Sequence, residues 1–255
     1  MSFQPLNRLD GGVAVITGGK GAIGRATAHR LAALGARIVS LDRSSGPDVQ
    51  AMLDSLPQVA SGSHIAIAAS ITDSASLQMA VRDIEEKAGR CDILINSAGH
   101  TTAIPLADLD GLTDALFDDI LQANLRGVFA TIRAFAPLLK LSGDGLIVNV
   151  SSIAGFTGTG SNLAYVAAKA GIDVLTKSLA KVLAPEVRVL AISPGVVDSS
   201  FVPGRGADFN EKAAQTIPLR RIGTVEDIAS AIEACATTMR FATGARFVVD
   251  GGRSL

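Results

Sequence analysis

Short, continuous apolar runs recur along the 255-residue chain, separated by longer segments rich in Ala and Leu. The runs are Val13–Thr17, Arg37–Leu41, His64–Ala69, Asp92–Asn96, Leu146–Ser151, Val187–Ser193 and Arg246–Val249. Most are unbroken stretches rich in Val and Ile, without the alternation of a strand that has one wet face. This is the pattern of strands covered on both faces of a parallel sheet. The intervening segments suit helices at Ile23–Leu34, Ser74–Ala88, Thr113–Leu139 and Asn162–Leu183. Thr224 followed by Asp227 forms a capping box for a further helix near Ile228, and Pro185 ends the helix ahead of the sixth run. The β–α alternation continues through the whole chain, with no Pro/Ser-rich linker, repeat or compositional shift. We therefore expect an α/β fold, one doubly wound domain over residues 1–255 with a seven-stranded, mainly parallel sheet. Ligands of such folds sit beyond the carboxyl ends of the strands, so the chemistry should follow each run.

Composition narrows the classes. Lys and Arg number 23 against 24 Asp and Glu, for a net charge of −1, which argues against a nucleic-acid partner. Mean hydropathy is +0.37. The longest uncharged stretch, Gly145–Ala168, is 24 residues, but eleven are Gly, Ser, Thr or Asn, so it is a poor membrane span. The hydropathy thus reads as a large buried core. Cys91 and Cys235 are too few for a disulfide framework, and His29, His64 and His100 have no metal-ligand spacing. Met1 to Asp10 lacks an apolar signal core, so the expectation is a cytoplasmic protein with no membrane partner and no metal. There is no Trp and one tyrosine, Tyr165.

After the first run comes Thr17-Gly18-Gly19-Lys20-Gly21-Ala22-Ile23-Gly24, in which Gly19, Gly21 and Gly24 read as GxGxxG. Glycines let a backbone approach a pyrophosphate closely, and the following helix offers free N–H groups. A glycine-rich structural turn is the alternative. The second run leads into Asp42, 18 residues beyond Gly24. A carboxylate there would bind ribose hydroxyls and repel a 2′-phosphate, favouring NAD, while Arg43 keeps NADP open. A solvated turn aspartate is the alternative.

The fifth run leads into Ser151-Ser152, and Tyr165 and Lys169 follow, four residues apart in a helical segment. Positions i and i+4 share a helix face, so the ammonium can lie close to the phenol. A free phenol, with a pKa near ~10, is a poor acid or base at neutral pH, and a nearby cation moves that value down. Ser152 could donate to a substrate oxygen. Tyr-x-x-x-Lys is also a common surface pair, and its weight comes from its position after the serine pair.

These motifs, in this order, resemble the short-chain dehydrogenase/reductase family over nearly the whole chain. Its TGxxxGxG is matched by Thr17, Gly18 and Gly24, with Ile23 between the last two positions and Ala22 in place of the middle glycine. Asn96-Ser97-Ala98-Gly99 resembles NNAG, Asn124 sits at the family's structural and catalytic asparagine, and Ser152 lies 13 residues before Tyr165, the family spacing. Tyr165 and Lys169 match YxxxK and Pro194-Gly195 the PG motif. The resemblance implies a Rossmann-like fold and an NAD(P)-dependent oxidoreductase acting on a secondary alcohol or ketone. It makes Asn124, Ser152, Tyr165 and Lys169 catalytic. The cofactor would lie on Gly18, Gly21, Ala22, Ile23, Gly24, Asp42, Arg43, Ser70, Ile71, Asn96, Ala98, Gly99, Tyr165, Lys169, Pro194, Gly195, Val197 and Ser199. Ser70 stands where many members carry an adenine-contacting Asp. An NADPH-dependent 3-oxoacyl-type reductase and a non-catalytic dinucleotide-binding regulator are the rival readings. His100, Ser152, Asn162 and Tyr165 are candidate substrate contacts, though His100 suits the surface as well. Residues 198–217, including Phe201, Gly204, Gly206 and Phe209, form a candidate lid over a substrate of modest size. The family implies a homotetramer (or homodimer) pairing the helices expected at Thr113–Leu139 and Asn162–Leu183. Ala167, Ala168 and Ala170 would pack at that interface or against the sheet.

Overall fold

The computed structural model describes residues 8–203 and 208–255. Seven strands form one fully parallel sheet in the order β3-β2-β1-β4-β5-β6-β7. They are β1 (Val13–Thr17), β2 (Arg37–Asp42), β3 (Ile65–Ala68), β4 (Ile93–Asn96), β5 (Gly145–Val150), β6 (Val187–Pro194) and β7 (Arg246–Val249). The sequence runs anticipate all seven. The helices are α1 (Ala22–Ala33), α2 (Pro47–Asp54), α3 (Ser74–Ala88), α4 (Asp114–Leu121), α5 (Gly127–Leu141), α6 (Ala154–Thr157), α7 (Leu163–Leu183), α8 (Phe209–Thr216) and α9 (Val225–Thr237).

Alternate strand residues feed two apolar layers. Ala14, Ile16, Ile38, Ile95, Val148 and Ile192 face α1, α2 and α9 through Leu31, Met52, Ile228 and Ile232. Val13, Val15, Val39, Leu94, Ile147 and Val189 face α3, α5 and α7 through Ile84, Phe135 and Ile172. Both layers are dry, which is why the strands read as continuous apolar runs. The order in which successive strands are added reverses between β1 and β4, and the carboxyl ends of these two strands open the site.

The structure corrects two expectations. The segment expected as one helix, Thr113–Leu139, is α4, a π-helical turn at Gln122–Arg126, and α5. Asn124 lies in that wide turn, where its Nδ2 donates to Ile120 O (3.0 Å) and His100 O (2.8 Å). Two eight-residue helices, α2 and α8, appear where none was expected; α2 opens with proline in its first turn, a position that needs no N–H. Of the expected lid, Gly204 and Gly206 lie outside the described residues, and Phe209 begins α8.

The capping box opens α9 as expected: Asp227 N donates to Thr224 Oγ1 (3.1 Å) and Thr224 N to Asp227 Oδ2 (2.8 Å). Arg221 also grips Asp227, holding its carboxyl well below the usual carboxylate range. Thr224→Ala should cost about 1 kcal/mol and lower Tm by about 2–4 °C. Thermal unfolding by circular dichroism checks this, and Thr224→Ser should behave as the native chain.

Candidate functional site

The β1–α1 loop is shaped by two glycines that admit no side chain. Gly18 has φ +66°, and a Cβ there would lie 2.9 Å from Ala98 Cα; a Cβ on Gly24 would strike the Gly18 carbonyl. Gly21 precedes α1, and Arg25 N makes the first helical bond, to Gly21 O. The N–H groups of Ala22, Ile23 and Gly24 are therefore unused by the helix, and its first turn carries no acid. This is an anion cradle made of backbone.

Asp42 closes β2 beside it, 6% exposed. Its carboxylate accepts from Ser40 Oγ (2.6 Å) and from Lys20 N (3.4 Å), and burial pushes its pKa up against those hydrogen bonds. Arg43 is exposed. At the end of β3, Ser70 Oγ pairs with Thr72 Oγ1 (2.9 Å) while its N–H donates to Ser76 Oγ (3.1 Å), and Ile71 is half-buried. After β4, Ser97 N and Ala98 N both donate to Thr17 Oγ1 (3.1 and 3.2 Å), binding this segment to the glycine loop. Gly99 packs against the Asn124 side chain, whose Oδ1 is buried without a protein partner.

Ser152, Tyr165 and Lys169 lie where the end of β5 meets α7. Ser151 and Ser152 face opposite ways. Ser151 is buried, its Oγ donating to Asp173 Oδ1 (2.7 Å), whereas Ser152 is half-buried and, among the described residues, accepts from Ala154 N (3.1 Å). Tyr165 and Lys169 stand one turn apart on α7, with the ammonium 5.4 Å from the phenol ring centre. Lys169 is 6% exposed and donates to Val150 O (2.8 Å). Burial brings its pKa down to about 8, with Asp173 opposing the shift. Tyr165 also meets Phe201 at 6.0 Å between ring centres.

After β6, Gly195 allows the chain to pass over Asp250, and Ile153 N donates to Pro194 O (3.0 Å). Val197 is buried and bridges Gly223, and Ser199 is half-buried at the start of the segment that carries Phe201. Among the described residues no group of three metal-ligating side chains occurs.

The loops after β1, β2, β4, β5 and β6 thus converge on one end of the sheet, carrying most of the expected residues. Two expected substrate contacts are placed otherwise. Asn162 is fully buried: it caps α7 by accepting from Tyr165 N (2.8 Å), and its Nδ2 donates to Thr101 Oγ1 (3.1 Å) and Thr102 O (2.7 Å). Its amide is buried and turned toward these protein partners. His100 is exposed, with Nε2 2.7 Å from Asp119 Oδ2, and its carbonyl supports Asn124. Sequence reasoning also missed Asp173 and Arg246, joined at 2.7 Å behind Lys169, because the two lie 73 residues apart and neither falls in a motif. The cap of Asn162 was readable: an Asn three residues before the first turn's Tyr165 is an N-cap pattern.

Asn162→Ala should remove the cap and two further hydrogen bonds, costing about 2–3 kcal/mol. Denaturant unfolding measures this. Asn162→Asp should recover only part of the loss, since it keeps the cap acceptor but not the donor.

The short chain dehydrogenase family model matches residues 12–208. The chain is 37% identical over 245 residues to ketoacyl reductase 2 of the granaticin polyketide synthase of Streptomyces violaceoruber, covering 95% of this chain and 96% of that one. It is 34% identical over 250 residues to a 3-oxoacyl-acyl-carrier-protein reductase of Thermotoga maritima, covering 96% and 98%. Among solved structures, a dehydrogenase/reductase from Sinorhizobium meliloti superposes with TM-score 0.88 at 32% identity over 98% of both chains. Levodione reductase superposes with TM-score 0.88 at 29% identity, covering 97% of this chain and 99% of that one. The chain belongs to the short-chain dehydrogenase family and is an oxidoreductase acting on CH–OH or keto groups.

Proposed function

We propose that Asn124, Ser152, Tyr165 and Lys169 form the active site of an NAD-linked oxidoreductase for a secondary alcohol or ketone of modest size. The observation that carries the reading is the buried Lys169 ammonium, one helical turn from the chain's only tyrosine. The site fits a dinucleotide: unused N–H groups of α1, glycines that a Cβ would fill, and a carboxylate at the end of β2. When bound, the nicotinamide supplies or accepts the hydride at the substrate carbon. Tyr165 passes the proton to or from the substrate oxygen, and Lys169 favours its phenolate form. Ser152, with its hydroxyl free to donate, holds that oxygen. Asn124 holds a water that links Lys169 to solvent. Gly18, Gly21, Ala22, Ile23 and Gly24 bind the pyrophosphate. Asp42 takes the adenosine ribose hydroxyls and Arg43 borders them. Ser70, Ile71, Asn96, Ala98 and Gly99 line the adenine and ribose side, and Pro194, Gly195, Val197 and Ser199 the nicotinamide side. Phe201, packed on Tyr165, and His100 border the substrate side.

The second reading is an NADPH-dependent 3-oxoacyl-type reductase, favoured by the names of the two relatives and by the exposed Arg43. Binding titrations with NADH and NADPH separate the two. The buried Asp42 carboxylate favours tighter NADH binding, and Asp42→Ser should shift the preference toward NADPH by about tenfold or more, the size of one like-charge contact. Tighter NADPH binding by the native chain would decide for the second reading.

The same reading includes a cytoplasmic homotetramer or homodimer. Leu163, Ala167 and Val174 lie exposed along one face of α7, which supports such a contact, whereas Ala168 is turned into the core. Among the described residues, no helix is long and apolar enough to cross a membrane.

Ser152→Ala should lower kcat/KM by about 10²–10³ with little change in Tm. Ser151→Ala should do the reverse, destabilising by about 1–3 kcal/mol with a much smaller kinetic effect. Tyr165→Phe should lose about 10²–10⁴ in kcat. A panel of alcohols and ketones, followed by nicotinamide absorbance, measures all three.

A further inference from the structure

We propose that the Asp173–Arg246 ion pair is a positioning device that sets the charge and place of Lys169 beneath Tyr165. This rests on the reading of Lys169 as part of the catalytic group. Lys169 and Asp173 lie one turn apart on α7, both buried. Lys169 Nζ holds the carbonyl of Val150, and Asp173 Oδ1 holds the hydroxyl of Ser151 at 2.7 Å. Two successive residues ending β5 are thus gripped by two successive turns of α7, directly before Ser152. The other carboxylate oxygen takes Arg246 Nη1 from β7 at 2.7 Å, and the Arg246 guanidinium lies 4.0 Å from the ring centre of Phe156 in α6. The carboxylate thus joins α7 to the end of β5 and to β7, and Arg246 carries the link on to α6.

The charges around α7 leave this pair in control. β5 and α6 carry no ionisable side chain. Arg188 of β6 is turned to the carbonyls of Cys235 and Met239, Arg126 to Thr72 O, and Arg133 of α5 to Ser74. On α4, Asp119 pairs with His100, and Asp114 and Asp118 are exposed. On α7 itself Tyr165 is one turn before Lys169, while Lys177, one turn beyond Asp173, and Lys181 are exposed. Asp173 therefore opposes the burial that drives the proton off Lys169, and Arg246, joined to the same carboxylate at 2.7 Å, should offset part of that effect. Removing Asp173 and removing Arg246 should act in opposite directions, whereas loss of mere packing would not give opposite signs.

The test follows the seven lysines by NMR in the full chain with ¹³Cε-lysine, the Lys169 signal being assigned with Lys169→Met. Asp173→Asn should lower the Lys169 midpoint from about 8, by roughly one pH unit. Arg246→Leu should raise it by about half a unit, and Arg246→Lys should restore it. The alkaline limb of kcat/KM should move with the midpoint in each variant. If Asp173→Asn does not fold, the two Arg246 variants decide alone. Unchanged midpoints, or shifts of the same sign, overturn the proposal. Opposite shifts in a chain that turns over no alcohol or ketone would keep the ion pair's role and remove the catalytic reading of Lys169.

Discussion

The site depends on one cation that the fold keeps out of water. Lys169 is 6% exposed, and its ammonium reaches the Val150 carbonyl at the end of β5. Burial lowers its pKa from 10.5 to about 8, which corresponds to about 3 kcal/mol of lost stability when the group is charged. The sign follows from proton counting. Between these two values the unfolded chain binds more protons than the folded one, so this cost is full below pH 8 and fades as pH rises toward 10.5. A fold that carries such a cost must hold α7 firmly against β5. Asp173, Ser151 and the close approach of Gly155 to the Lys169 backbone do so.

The same helix is tied to the nucleotide end through the sheet. Thr17 of β1, Asn96 of β4 and Asn149 of β5 stand opposite one another in register. Asn96 Nδ2 donates to Asn149 Oδ1, and Asn149 Nδ2 to Thr176 of α7, both at 2.9 Å. Thr17 in turn holds the backbone of Ser97 and Ala98. A polar row therefore runs beneath the carboxyl ends of three strands, from the glycine loop to the helix that bears Tyr165 and Lys169. Each member sits in an otherwise apolar layer, so the row resists register shifts that apolar packing alone would tolerate.

What was legible in the sequence follows from this construction. Strands buried on both faces declare themselves as apolar runs, and all seven were found. The long helices α3 and α7 were found for the same reason, through their extended Ala/Leu patterns. α2 and α8 were not, since eight residues carry too little periodicity. The wide turn around Asn124 was hidden because no Gly or Pro interrupts the chain within it; what shapes it is a side chain that bonds to Ile120 O and to His100 O across the site. The roles of Ser151 and Asn162 depend on partners 22 and about 60 residues away, which spacing alone cannot report. Tyr165, Lys169 and Ser152 stand out in the sequence because they follow in local order, Ser152 just after β5 and the other two one turn apart on α7.

The two departures from the family pattern can be understood from the kind of atom that performs each task. Ala22 replaces a glycine, yet it is the first residue of α1 and exposed, so its methyl group meets no backbone while its N–H remains available. Gly18 and Gly24 have no such freedom, because a Cβ at either would overlap the opposing chain. The cradle is therefore a property of backbone paths, and substitutions matter only where two paths touch. Ser70 is a different case: its hydroxyl is spent on Thr72 and its N–H on Ser76, which fixes the turn leading into α3. A carboxylate lost there removes a side-chain contact but keeps the turn, leaving the backbone of Ile71 to define that edge of the site. In the proposed reading, nucleotide recognition thus rests on main-chain groups and on Asp42, whereas catalysis rests on side chains held by buried charge.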